Sequence, residues 1–287
     1  MKKILSVFLG LATILSLGFT SAFADPSAAE PDIGTDADEE VTAQKIVSAS
    51  AVSGEEKVSL PNGIGDIPVP ITEAQQISDA MEQNLSSTQI LQIQQKLNNV
   101  IPSDFVDPRT ANAAWTWYYL VSDYHVYVQE RPTWCMAACA QSTLEYLTGS
   151  APTQQAAAAG IGIVAGSGGN MYSLTAYYNN MQNVNGYVYK PNTTSKSEML
   201  SNMYLGITYY DAPITAGIVV NDSNEEWPYT TTGHATVVRG IRSDNQLVQL
   251  ADPGVKYWNS TLNSYFMVSS DELYKAVSYS SKCGYIY

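Results

Sequence analysis

Apolar residues fall into two rhythms along this chain, and the change of rhythm divides it. In PITEAQQISDAMEQNLSSTQILQIQQKLNNVIP, Ile77, Met81 and Leu85, then Ile90, Leu91, Ile93 and Leu97, recur at helical intervals, which predicts two short amphipathic helices. Thr72 is placed to cap the first, with Gln75 completing a capping box. Two such helices bury too little alone and need a partner surface. From Trp115 the pattern predicts a strand over 124–129, helices over 133–148, 153–159, 170–182 and 194–205, and a glycine loop over 162–169. Strands follow over 215–220, 234–242, 246–251 and near 264–268, then a helix begun by the capping box Ser269, Ser270, Asp271, Glu272, and a closing strand CGYIY. Helices lead and antiparallel strands follow, an α+β layout with segregated halves.

Composition changes the picture upstream. Residues 1–24 carry two lysines, an apolar run and Ala22, Phe23, Ala24, the pattern of a signal peptide cleaved after Ala24. No run of about 18 apolar residues follows, so a secreted chain without a membrane anchor is expected. Residues 25–71 lack periodicity and read as flexible, and DPRT at 107–110 reads as a linker. Residues 25–111 form a strongly acidic segment, whereas tyrosines and tryptophans concentrate in 112–287, the core-forming domain. The net charge of -13 argues against nucleic acid and anionic membrane surfaces as partners.

The chain has three cysteines, an odd number for an exported protein, so at least one is unpaired or bonded to another chain. In RPTWCMAACAQSTLEYLTG, Thr133 as N-cap puts Cys135 in the first helical turn, where free backbone NH groups favour an anionic sulfur. Cys139 lies one turn deeper among alanines and reads as core, with a disulfide to Cys283 left open. A thiol nucleophile needs a base, and the chain has only His125 and His234. His234 opens an apolar strand after Gly233, and a hairpin through Ser243, Asp244 and Asn245 leads into a second strand. With a three-residue loop Arg242 pairs with Gln246, so His234 falls opposite Gly254 with Asp252 diagonal on the same face, able to fix the imidazole. A two-residue loop would flip Asp252 away. Gln129, six residues before Cys135, is close enough to aim its amide at the same reacting oxygen.

These pieces resemble the papain-like cysteine peptidase superfamily, nearest to its small bacterial members, the bacteriocin-leader-processing-like and staphopain-like secreted peptidases. The likeness is carried by Gln129, Trp134, Cys135, Met136, Ala137 and Ala138, which match a QxxxxWCWAA kind of motif, and by GHATVVRG around His234. It spans about 120 to 287, with Met136 where an aromatic is usual and Asp252 where papain has Asn. The resemblance implies an N-terminal helical half led by the nucleophile helix, a C-terminal antiparallel β half, and a cleft between them. It implies Cys135 as nucleophile, His234 as base and acid, and Asp252 as orienting group. Gln129 and the Cys135 NH would form the oxyanion hole, with Gly168, Gly169 and Trp134 against the substrate. It also implies a zymogen in which residues 25–111 act as propeptide, with the cut between about 101 and 114.

The function expected is hydrolysis of peptide bonds through an acyl-enzyme, by a monomer whose partners are a peptide or protein substrate and its own propeptide. A peptidoglycan amidase or endopeptidase on the same fold, and a non-enzymatic secreted binding protein, are the alternatives. No cofactor is expected, and two histidines with three cysteines stand at no usual metal-ligand spacing.

Overall fold

The computed structural model describes residues 57–66, 71–107 and 115–287. The expected signal peptide, the acidic stretch before Lys57 and most of the linker at 107–110 lie outside the described residues. What is described belongs to one compact unit, Val47–Tyr287.

One sheet organises it. The strands are β1 (Val58–Leu60), β2 (Trp117–Tyr119), β3 (Tyr189–Pro191), β4 (Ile214–Val220), β5 (Tyr229–Arg242), β6 (Leu247–Ala251), β7 (Tyr265–Ser269) and β8 (Gly284–Ile286). Their order is β3-β8-β4-β5-β6-β7, with β1 and β2 also paired to β5. All pairings are antiparallel except that of β1 with β5. Every residue of β4 is buried, so both faces of the sheet are covered there.

The covering helices include α3 (Cys135–Thr148), packed on β5, α4 (Gln154–Ile161), α5 (Met171–Met181), and α8 (Ser270–Ser278), packed on β4, β6 and β8. Small side chains let α3 lie close to its neighbours: Ala137, Ala138 and Ala140 have no exposed surface. Gly149 ends the helix at φ +71, a conformation that favours glycine.

Around the sheet and α3, three expectations change. The segment 124–129 is not a strand: it lies along α3 and bonds to its side chains, Tyr124 to Thr143, His125 to Glu145 and Tyr127 to Glu145. Thr133 is not the N-cap; a turn closed by Trp134 N to Arg131 O delays the helix, and Trp134 caps it without a side-chain bond. The β5–β6 loop has four residues, since Ile241 faces Val248, and a bulge at Arg239 takes up the difference.

The two early helices are α1 (Glu73–Glu82) and α2 (Ser87–Leu97). Thr72 caps α1, but Gln75 turns its side chain to Asp79, so the full capping box belongs to Ser86 and Gln89 on α2. Their partner surface is the stretch 179–189, reached through buried polar groups as well as Ile93 and Leu97. Gln76 donates to Tyr189 O and accepts from Tyr189 N, as a strand neighbour would. Gln89 donates to the carbonyls of Asn179 and Gln182. Lys96 donates to Asn185 Oδ1 at 3.0 Å and Gly186 O at 2.9 Å, with its ammonium over the rings of Tyr187, Tyr210 and Tyr287. Burial pushes the Lys96 amine well below the usual lysine range.

At Gly186 the contact leaves no room, because a Cβ there would lie 2.3 Å from Gln89 O. Gly186→Ala is therefore expected to lower stability by about 1–3 kcal/mol, the usual cost of overpacking, by pushing α2 off its seat. Denaturant unfolding checks this; an unchanged midpoint contradicts it.

Candidate active site

α3 and β5 bring two sequence-distant groups together. Cys135 is the first residue of α3, 1% exposed, and its Sγ accepts a hydrogen bond from Ala235 N at 3.4 Å. His234, on β5, precedes the residue whose NH meets that sulfur, and places its Nε2 2.9 Å from Asp252 Oδ1. Asp252 has no exposed surface, and its Oδ1 also accepts from Gly254 N and Val255 N. With Nε2 turned to the carboxylate, Nδ1 is the nitrogen left for the sulfur.

The register explains how Asp252 arrives. Val237 faces Ala251, which carries His234 opposite Gly254, and a Cβ on Gly254 would lie 2.7 Å from His234 Cε1. A three-residue loop without a bulge gives the same pairing here as a four-residue loop with one.

Cys139 lies beneath, donating to Ala235 O at 3.5 Å, and all three cysteines are free and buried. His125 sits apart on an exposed side chain tied to Glu145.

Gln129 borders the site, its Oε1 lying, like the His234 ring, against Gly254. Its Nε2 donates to Arg131 O at 2.9 Å and Pro132 O at 3.0 Å, two carbonyls of the turn before α3. Its Oε1 is buried without a hydrogen-bond partner. Trp134 stands at the helix start with the Arg131 guanidinium 4.7 Å above its ring.

Gly168 and Gly169 do border an extended chain, and it comes from the same protein. Residues 57–66, read as flexible from their composition, lie across the site. β1 pairs with Tyr229–Thr231, Gly63 N donates to Gly233 O, and Gly65 N donates to Gly169 O, both at 2.6 Å. Ile64 is fully buried and pairs in parallel with Gly169. A Cβ on Gly63 would come within 2.4 Å of Cys135 Sγ, and one on Gly168, at φ +72, within 2.2 Å of Gly63 O. Only glycines allow this approach.

The model of the Peptidase_C39 like family matches residues 121–281. The chain belongs to the Peptidase_C39 like family. Fold and chemistry agree with that membership: it is an α+β cysteine peptidase, with a helix-borne cysteine near a strand-borne histidine. No curated protein matches the chain. Among solved structures it is similar to xylellain, a cysteine protease from Xylella fastidiosa. That likeness covers 81% of this chain and 97% of the other, at 12% identity and a TM-score of 0.45. Residues 57–66, a strap across the site, and α1–α2 lie before the residues that match the C39-like family.

Electrostatics in this C39-like site separate the two cysteines of α3. Burial pushes the Cys139 thiol well above its usual range, and the charges of Cys135 and Asp252 push it further, so it stays protonated. For His234 burial alone favours the neutral ring, yet the charges of Asp252 and Cys135 and the bond to Asp252 raise it to about 10. Burial works against the Asp252 carboxylate too, but the His234 charge and bonds from His234, Tyr229 and Gly254 hold it below its ordinary value.

Sequence reasoning missed Tyr229, whose hydroxyl donates to Asp252 Oδ2 at 2.6 Å, and the strap residues Gly63 and Ile64. GIG between two polar residues was the strap's one visible signal.

Because the chain has two histidines, imidazole NMR titration resolves His234 directly. Its midpoint is expected near 10 and is expected to fall clearly in Asp252→Asn, which removes a charge that favours the protonated ring. An unchanged midpoint in the variant contradicts the coupling.

Proposed function

We propose that this C39-like peptidase is a secreted enzyme made as a zymogen, in which Cys135, His234 and Asp252 hydrolyse peptide bonds. The observation that carries the reading is the burial together of the Cys135 sulfur, met by Ala235 N, and the bonded His234–Asp252 pair. The Cys135 sulfur attacks the substrate carbonyl carbon, forming a C–S bond, and His234 passes its proton to the amine as the C–N bond breaks. Water, giving a proton back to His234, then cleaves the thioester and releases the acid. Asp252 keeps Nδ1 aimed at the sulfur. The Cys135 NH stabilises the oxyanion, and Gln129 joins it by rotating off the Arg131 and Pro132 carbonyls as substrate enters.

The zymogen reading draws on the strap. Gly63 presents its α-carbon to Cys135 Sγ, and its carbonyl oxygen is turned toward Gly168. A chain held in that way blocks the sulfur without offering a carbonyl to it. β1 and the α1–α2 pair anchor the strap on either side, so processing at the linker, expected between about 101 and 114, carries strap and helices away together. Export follows from the signal-peptide pattern ending at Ala24.

Peptide turnover by the unprocessed chain is expected to be low and to rise after processing; Cys135→Ala abolishes both levels. Gly63→Ala, whose Cβ cannot share space with the sulfur, is expected to raise turnover of the unprocessed chain about tenfold or more, a shift of about 1.4 kcal/mol in strap docking. Full activity in a product beginning at Asp25 by N-terminal sequencing would refute the zymogen.

A further inference from the structure

β5 directs a second buried side chain at the site, five residues before His234. Tyr229 is 2% exposed, its hydroxyl donates to Asp252 Oδ2 at 2.6 Å, and its ring meets the imidazole edge to face at 5.5 Å and 80°. Asp252 Oδ1 is taken by His234, Gly254 and Val255; Oδ2 is met by Tyr229.

On a regular strand, side chains five residues apart point to opposite faces. Here Ile218 faces His234 while Val220 faces Thr231, so β5 carries one extra residue between Thr231 and His234. That irregularity turns Tyr229 and His234 to the same side. The Tyr229 ring is held edge-on by Trp227 at 5.8 Å and Phe266 at 6.4 Å, which fixes where its hydroxyl points.

We propose that Tyr229 is a positioning residue for the peptidase reaction: its hydroxyl locks the Asp252 carboxylate in the orientation that holds His234, and its ring closes that side of the imidazole to water. This rests on the reading of Cys135, His234 and Asp252 as the reacting set. A carboxylate with no exposed surface cannot turn to water for the missing donor, so losing the hydroxyl leaves Oδ2 unsatisfied and the group held through Oδ1 alone. The groups facing this hydroxyl are Asp252 after β6, His234 on β5, and Cys135 and Cys139 on α3. Burial and the Asp252 charge push the Tyr229 phenol well above its usual range, so it remains a donor throughout the working pH span.

The test compares Tyr229→Phe, Phe266→Leu, Cys135→Ala and wild type, each processed in trans by tagged wild-type enzyme that is then removed. kcat and KM for a peptide substrate are measured across pH, with a thermal melt of each protein. Tyr229→Phe is expected to lose about 10- to 100-fold in kcat, as loss of a supporting partner typically does, with KM within about threefold. Its acid limb is expected to move toward neutrality, because Asp252 has lost a donor that favours its charged form. Phe266→Leu loosens the packing but keeps the hydroxyl, and its acid limb is expected to stay in place. An unchanged kcat and acid limb in Tyr229→Phe overturns the proposal, as does an equal shift in Phe266→Leu. Turnover surviving in Cys135→Ala overturns the reading of the site instead.

Discussion

The structure depends on keeping a charged imidazole and a carboxylate together with no water beside them. His234 and Asp252 are 2% and 0% exposed, and a charge in such a place is costly unless every polar atom finds a partner. Here the costs are offset locally: two backbone NH groups, a phenol and the imidazole itself meet the carboxylate. β5 is the element that makes this possible. It carries Tyr229 and His234, pairs with the strand that leads into Asp252, receives α3 behind Cys135, and offers its N-terminal end to β1. Its 14 residues, rich in Thr and Val, suit a buried central strand.

The same strand couples the site to the segment that covers it. β1 lies on Tyr229–Thr231 and Gly63 bonds to the carbonyl just before His234, so the strap is registered on the residues that build the site. Its hold is mostly backbone and glycine, which gives close contact with little side-chain burial beyond Leu60 and Ile64. The helices that follow are held differently, through Gln76, Gln89 and Lys96 reaching main-chain groups of 179–189. An interface built of buried polar groups is specific, because each group loses its partner if the helices leave.

Much of this was legible along the chain, for identifiable reasons. Long periodic segments declared themselves: α3, α5, β4, β6, α8 and the part of β5 from His234 onward fall close to where the apolar pattern puts them. The pairing of His234 opposite Gly254 was readable from the hairpin, although the loop is one residue longer and the bulge at Arg239 restores the register. Segment 124–129 alternates like a strand but meets α3 rather than a sheet edge, and alternation does not say which. Tyr229 was hidden because the expected strand began at 234, five residues after β5 starts, and an irregularity between Thr231 and His234 then sets its facing. The strap has no period at all; its order comes from fitting a cleft made by residues more than 60 positions away. Gln129 was found by spacing, but spacing could not say that its amide would first be taken by the carbonyls of the turn before α3.

The most direct measurement of a strap-covered thiol–imidazole site is the rate and position of alkylation by a small thiol reagent, mapped by mass spectrometry before and after processing. Slow labelling of the intact chain, followed by fast labelling of Cys135 ahead of Cys139 and Cys283 once the strap is released, is the expected result. Cys139 labelling first, or equal rates at Cys135 in both forms, would contradict it.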